Sequence, residues 1–250
     1  MSLMLKAVLF DVDGTLVDSN DAHAQAWVRA FAEHGVTVSF DEVRRSIGMG
    51  GDKLMPRVSP VTEESEEGAR IAERRKEIFK REFMPHLQAQ RGAGELVAAV
   101  KRLGFTAVAA SSAKKEELEP LLKVAGADTL IDHSTSSDDA EESKPDPDII
   151  TAALERAGAS PDEAIMIGDT PYDVESARRA GVRTIAFRCG GWQDADLEGA
   201  IAIYDGPWDL LEQLVGADHG RPLQTLMEGA ALPAQEDSHA TTPARRRKNP

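Results

Sequence analysis

Short apolar runs of four to six residues recur along this chain, and between them lie stretches with apolar residues three and four apart. The first run, Leu5 to Phe10, predicts a buried strand. A helix follows, capped by Asn20 or Asp21, with Ala24, Trp27, Val28 and Phe31 on one face and Gly35 at its end. Residues 41 to 86 keep helical spacing but are highly charged, with Ile71, Ala72, Ile78 and Phe79 as a sparse apolar stripe. Within them "RSIGMGGDKLMPRV" predicts a Gly-rich loop.

After Gly92 the texture changes. A helix carrying Leu96, Val97, Val100 and Leu103 leads to the strand "FTAVAA", which runs into Ser111 and Ser112. A helix with Leu118, Leu121 and Leu122 leads to "TLID", and one with Ile149, Ile150, Ala153 and Leu154 leads to "AIMI" and Gly168-Asp169. A last helix ending at Gly181 precedes "RTIAF". Strands alternating with helices predict an α/β fold, a Rossmann-like doubly wound parallel sheet built from right-handed crossovers. The long helical stretch after the first strand breaks that rhythm and predicts an inserted helical domain over 18–89. The α/β core then takes 1–17 and 90–217. Residues 218–250 are polar and aperiodic, which predicts a disordered tail, so a chain ending near Val215 is expected to fold.

Charge and composition narrow the classes. A formal net charge of −14 argues against nucleic acid as a partner, because phosphates would be repelled. A single cysteine, Cys189, forms no intrachain disulfide and fits a reducing cytosol, so a cytoplasmic location is expected. No apolar run reaches the roughly 20 residues that span a bilayer, so no membrane association is expected. "MLKAVLFDVD" meets its first acid too early for a secretory leader. The terminal "RRRK" reads as a solvated basic end.

In open parallel sheets, ligands bind beyond the carboxyl ends of the strands. Four polar features are expected there: Asp11 and Asp13 after the first strand, Ser111 after the second, Lys144 in "SKPDPD", and Asp169 with Asp173 in "GDTPYD". Singly, each has a plain reading: a turn aspartate, a helix-capping serine, a surface lysine, an N-cap aspartate. Together they make a chemical set. Three carboxylates and a backbone carbonyl suit Mg²⁺, a hard cation that prefers oxygen. A carboxylate can attack phosphorus, a second one can move the proton, and a hydroxyl and an ammonium can hold phosphoryl oxygens.

The segments "DVDGTLVDS", "VAASS", "SKPDPDII" and "IMIGDTPYDVESARRAG" resemble, in order and spacing, the four motifs of the haloacid dehalogenase superfamily. The helical insertion resembles its helical-cap subgroup, which includes phosphoglycolate phosphatases and β-phosphoglucomutases. The resemblance implies Asp11 as nucleophile and Mg²⁺ ligand. It implies Asp13 as general acid/base, with its backbone carbonyl on the metal. Asp169 becomes a direct ligand, and Asp173 holds a metal-bound water or orients the site. Ser111 binds phosphate, and Lys144 pairs with Asp11 and the phosphoryl group. Asp13 argues against dehalogenation, since the true dehalogenases lack it.

The loop "IGMGGDK" resembles the family's substrate-specificity loop, which makes Gly50, Gly51 and Lys53, with Ser112, expected substrate contacts. Arg44, Arg45, Lys53 and Arg57 flank it and either attract a second anion or are solvated helix charges. Trp192 reads as core packing or as the site's edge. In β-phosphoglucomutases an arginine of this loop holds the distal phosphate; the position that looks equivalent here is Gly51, which favours a hydrolase. The expected function is Mg²⁺-dependent hydrolysis of small phosphorylated metabolites through an aspartyl-phosphate, by a monomer or homodimer. The alternatives are a sugar phosphomutase and a non-catalytic binding module.

Overall fold

The computed structural model describes residues 4–216 and 223. Six strands, β1 (Ala7–Phe10), β2 (Thr106–Ala110), β3 (His133–Thr135), β4 (Ala164–Gly168), β5 (Arg183–Phe187) and β6 (Ala202–Tyr204), form one sheet in the order β3-β2-β1-β4-β5-β6. Every pairing is parallel. The order reverses between β1 and β4, so the ligand-binding crevice of such a sheet falls at their carboxyl ends.

Period-two alternation decides which residues face which layer. Val8 and Phe10 of β1, with Ile165 and Ile167 of β4, enter the larger core. That core also holds residues of α5 (Ala93–Arg102), α6 (Lys115–Val124) and α9 (Pro207–Gly216). Ala7 and Leu9, with Ala164 and Met166, face the opposite layer, made by α7 (Asp148–Ala157) and α8 (Pro171–Arg179). Strands buried on both faces read as continuous apolar runs, which is why "AVLF" and "AIMI" stand out.

Between β1 and β2 the chain is helical: α1 (Asn20–Glu33), α2 (Phe40–Arg44), α3 (Gly51–Val58) and α4 (Glu66–Ile78). A π-helical turn at Phe79–Phe83 and a 3₁₀ turn at Met84–His86 lead back to the sheet. Trp27, Phe31, Ile71 and Phe79 of this insert are buried in the same core as Phe10 and Leu16. The insert is therefore packed down on the sheet's carboxyl edge.

Four local expectations are corrected. The cap of α1 is Ser19, with Asn20 already helical, and neither side chain serves the helix end. The Gly-rich loop stops at Gly50, because Gly51 to Val58 forms α3 with Pro56 inside it. "TLID" is a turn rather than a strand: Leu130 and Ile131 donate back to Ala127, and Asp132 accepts from Ala107 N at 2.9 Å. The strand starts one residue later, at His133. Finally, β6 and α9 were not expected from the apolar pattern; β6 is only half-buried.

The tail expected over 218–250 lies outside the described residues except for Leu223. That residue is fully buried in the larger core. Among the described residues no helix is long and apolar enough to cross a membrane. Removing a buried leucine side chain costs roughly 2–5 kcal/mol. Leu223→Ala is therefore expected to lower the unfolding free energy by about 2 kcal/mol or more in urea titrations, and a chain ending at Val215 at least as much.

Candidate active site

A tight turn follows β1. Gly14 N donates to Val17 O at 2.7 Å and Leu16 N to Val12 O at 2.9 Å, which folds Thr15 back towards β4. Its Oγ1 donates to Asp169 Oδ1 at 2.6 Å. Asn20 Nδ2 donates to the other oxygen, Asp169 Oδ2, at 2.9 Å. The first residue of α1 is thus turned to an aspartate at the end of β4. Asp169 does not cap α8; Thr170 does, in a reciprocal box with Asp173.

Lys144 lies in the loop before α7, and its ammonium is fully buried. It donates to Asp11 Oδ1 at 2.7 Å, Asp173 Oδ1 at 2.8 Å and Ala110 O at 2.8 Å. All three of its hydrogens are thereby used. Burial works against its charge, but Asp11 and Asp173 outweigh burial and hold it protonated. Among the described residues Asp11 Oδ2 keeps only a 3.4 Å contact from Thr15 Oγ1.

Asp11, Asp169 and Asp173 each offer an oxygen, and these atoms lie within 4.8 Å of one another, all buried. Burial, then the neighbouring carboxylates, push Asp11 well above the usual range against the pull of Lys144. Burial and Asp173 lift Asp169 to about 7, even though Thr15 and Asn20 donate to it. Buried like charges with an oxygen-only donor set fit a small divalent cation, which would relieve both. Asn20 Oδ1, buried and without a partner, adds an unused acceptor on the residue that holds Asp169.

Asp13 has different neighbours. Its Oδ1 accepts from Ser19 Oγ at 2.6 Å and meets His23 Nε2 at 2.7 Å. Arg75 Nη2 lies 2.6 Å from His23 Nδ1. A guanidinium only donates, so Nδ1 accepts and the ring proton sits on Nε2, aimed at Asp13. Burial alone would raise Asp13, but His23, Ser19 and Arg75 together hold it below the usual range. Arg75 also grips Glu117 of α6 through both carboxylate oxygens, at 2.7 and 2.9 Å. His23 is stacked on Phe79 at 3.9 Å between ring centres. None of His23, Arg75 and Glu117 was among the residues expected from sequence. The only signal was position: Ser19, Asn20 and His23 share one face at the start of α1.

The remaining expected residues are placed as follows. Ser111 Oγ accepts from Ala113 N at 3.0 Å, and among the described residues no acceptor takes its own proton. Ser112 Oγ donates to Gly48 O at 3.2 Å, tying β2's end to the insert loop. Gly50 N donates to Ser143 Oγ at 3.0 Å, and a Cβ there would lie 2.6 Å from Ser143 Cβ, so only glycine allows this approach. Gly48 is required twice over, by its φ of +108° and by a Cβ that would meet Thr170 at 2.9 Å. Gly50, Gly51 and Ser112 border a cavity of about 610 Å³ with Asp11 and Asp13 at its floor. Lys53 does not line it. Its ammonium is bound to Glu142 at 2.9 Å and to Asp146, so it fastens the insert to the core. Arg44 is likewise taken by Asp21 and Gly190 O. Trp192 packs edge-on to Tyr172, with the Arg45 guanidinium 5.9 Å from its ring.

The parallel sheet thus gathers carboxylates and a buried lysine at its switch point, where sheets of this kind bind ligands. Residues 8–187 match the sequence model of the haloacid dehalogenase-like hydrolases, and the chain belongs to that family. It is similar to the N-acetylmuramic acid 6-phosphate phosphatase of Pseudomonas aeruginosa, 29% identical over 219 residues, or 85% of this chain and 96% of that protein. A hydrolase from Pseudomonas syringae has the same fold, with a TM-score of 0.78 at 30% identity over 84% of this chain and 98% of that one. A β-phosphoglucomutase from Clostridium difficile shares the fold at a TM-score of 0.75 and 19% identity, over 90% of this chain and 98% of that one. The chain is thus an enzyme of the phosphatase kind.

Glu117 is 3% exposed and its charge is met by Arg75. Breaking such a pair from one side costs about 3 kcal/mol, because the other charge stays buried. Arg75→Met is expected to lose about that much stability in denaturant titrations. A second change, Glu117→Gln, is expected to restore part of it.

Proposed function

We propose that this protein is a Mg²⁺-dependent phosphomonoester hydrolase of small phosphorylated metabolites, working in the cytoplasm through an aspartyl-phosphate on Asp11. The observation that carries the reading is the state of Asp11. One oxygen is fixed by the buried Lys144, and the carboxylate lines a cavity that is partly open to solvent. A carboxylate held so, with Oδ2 little engaged, is positioned to attack phosphorus.

In the first step Asp11 displaces the alcohol from phosphorus, and Asp13 gives the leaving oxygen a proton. In the second, water attacks the phospho-aspartate and Asp13 takes the proton back. Its two donors, Ser19 and His23, favour the ionised form that this second step needs. The free proton of Ser111 suits a phosphoryl oxygen. Lys144 bridges Asp11 and Asp173 and offsets part of their charge. Asp11, Asp169 and Asp173, with the Asp13 carbonyl, would hold Mg²⁺, which offsets the charge on the phosphoryl oxygens. The segment 18–89 serves as a cap that keeps bulk water from the site. Gly51 offers no side chain to a distal phosphate, which favours water over a sugar hydroxyl as acceptor.

The decisive variant is Asp11→Asn. An amide is no nucleophile, so phosphate release is expected to fall by at least about 10²-fold with thermal unfolding nearly unchanged. Activity above about 1% of the wild type would defeat the aspartyl-phosphate route.

The second test follows from Asp169. Its carboxyl sits at about 7 when folded against 3.8 as a free group, so the folded metal-free protein binds the extra proton. The stability this contributes is complete below about pH 4 and is lost as pH rises to about 7. Mg²⁺ competes with that proton. Its rise in Tm is therefore expected to be larger at pH 8 than at pH 5. An equal shift at both, or none, would remove Asp169 from the metal's ligands.

A further inference from the structure

Asp13 is held by one oxygen only. Its Oδ1 takes both contacts, from Ser19 Oγ at 2.6 Å and His23 Nε2 at 2.7 Å, and among the described residues Oδ2 has no hydrogen-bond donor. The same side chain lines the cavity above Asp11. A carboxylate clamped at one oxygen keeps the other for a reacting group, provided the clamp does not turn. The His23 ring is therefore the part that must stay still. It is stacked on Phe79, 3.9 Å between ring centres and 13° from parallel, which sets its plane. A half-turn of the ring would preserve that stack and carry Nε2 away from Asp13. Arg75 Nη2, 2.6 Å from Nδ1, stops the half-turn.

Arg75 is itself held from the other side of the domain boundary. It stands on α4 of the insert, with its guanidinium 5.5 Å from the Trp27 ring and 5.2 Å from the Phe79 ring. Its Nη1 donates to both oxygens of Glu117, at 2.7 and 2.9 Å. Glu117 belongs to α6 of the core, is buried, and among the described residues bonds to Arg75 alone. An acid in the first turn of a helix is ordinary, but a buried one needs its counter-charge in place. Glu117 meets that charge only while the insert is seated on α6. The neighbouring pair, Lys76 to Glu116 at 2.5 Å, joins the same two helices but is partly exposed and leads to no residue that touches Asp13.

We propose that Glu117 is a positioning residue for proton transfer to the leaving group: through Arg75 and His23 it holds Asp13 in its working orientation, and only while the insert is seated. This rests on the phosphatase reading above. In the first step the bond from phosphorus to the alcohol oxygen breaks as Asp11 bonds to phosphorus, and the proton on Asp13 passes to that oxygen, so the alcohol leaves neutral and Asp13 is left as a carboxylate. With the insert lifted, Arg75 parts from Glu117, His23 is free to make its half-turn, and Asp13 loses its fixed edge. Proton delivery is thereby confined to the seated state. Glu117 acts at two removes, since it touches neither Asp11 nor Asp13.

The test compares benzyl phosphate with p-nitrophenyl phosphate, both with Mg²⁺. The two are near in size, but benzyl alcohol must be protonated as it leaves, whereas p-nitrophenolate leaves as a stable anion. kcat/KM reports phosphoryl transfer to Asp11 and not the later hydrolysis. Its ratio between the two esters also cancels any change in the folded fraction. Glu117→Gln is expected to lower kcat/KM about tenfold or more on the benzyl ester and about threefold or less on the nitrophenyl ester. Arg75→Lys, whose single ammonium cannot hold Glu117 and His23 in one planar fork, is expected to shift the ratio the same way. Glu116→Gln, which breaks the neighbouring contact, is expected to leave the ratio unchanged. Equal losses on both esters in Glu117→Gln and Arg75→Lys would make the pair merely structural, and an equal shift in Glu116→Gln would make the effect one of general seating; either result overturns the proposal and leaves the phosphatase reading standing. A wild type that hydrolyses only the nitrophenyl ester delivers no proton and overturns it too. If neither ester is hydrolysed, both readings fall.

Discussion

The ammonium of Lys144 is the fixed point of this molecule. A lysine with no exposure is tolerated only where its charge and all three donors are met. Here the acceptors come from three places: Asp11 after β1, Ala110 at the end of β2 and Asp173 in the first turn of α8. One side chain therefore sets the spacing of the strand ends around the crevice. It also leaves the site's charge unbalanced. Asp11, Asp169 and Asp173 face a single nearby ammonium, and the excess shows in the raised carboxyls of Asp11 and Asp169. The site is built with room for one more positive charge, whether a proton or a cation.

Asp13 stands outside that imbalance because it answers to the insert. Ser19 and His23 come from the start of α1, Arg75 from α4, and Glu117 from α6 of the core. The chain of contacts leaves the core at Asp13, passes through two helices of the insert and returns at Glu117. The ionisation of Asp13 thus depends on how the insert is seated. Lys53 with Glu142 and Asp146, and Ser112 with Gly48, fasten the same seat at other points. Several of these links are charged and partly exposed, so individually they are weak. The buried Arg75–Glu117 pair, flanked by Trp27 and Phe79, is the one that desolvation makes consequential.

The sheet was legible because its strands are buried on both faces, so "AVLF" and "AIMI" declare themselves without alternation. Its polar ends were legible because aspartates terminating buried strands have no cheap explanation. What failed to show had physical reasons. β6 is short and only half-buried, so its apolar signal is that of a loop. "TLID" carries a strand-like pattern but its backbone is spent on the turn after α6. Gly51 and Pro56 read as loop residues and yet lie in α3, where tertiary packing overrides propensity. Lys53 looked free because the two acids that take it come from the core, more than 85 positions later. His23, Arg75 and Glu117 are separated by 52 and 42 positions on three elements, and no local rule joins them.

These two sets of residues divide the work along a physical line. The core groups are fixed by mutual necessity: moving Lys144 strands two carboxylates, and moving Asp169 strands Thr15 and Asn20. The outer cavity wall is under no such constraint. Among the described residues Asp52, Glu63, Glu64 and Glu141 have no ion-pair partner; Glu64 and Glu141 are exposed and Asp52 lies in the first turn of α3, so water and the helix end meet much of that charge. Chemistry is therefore read from the buried lysine and its acids.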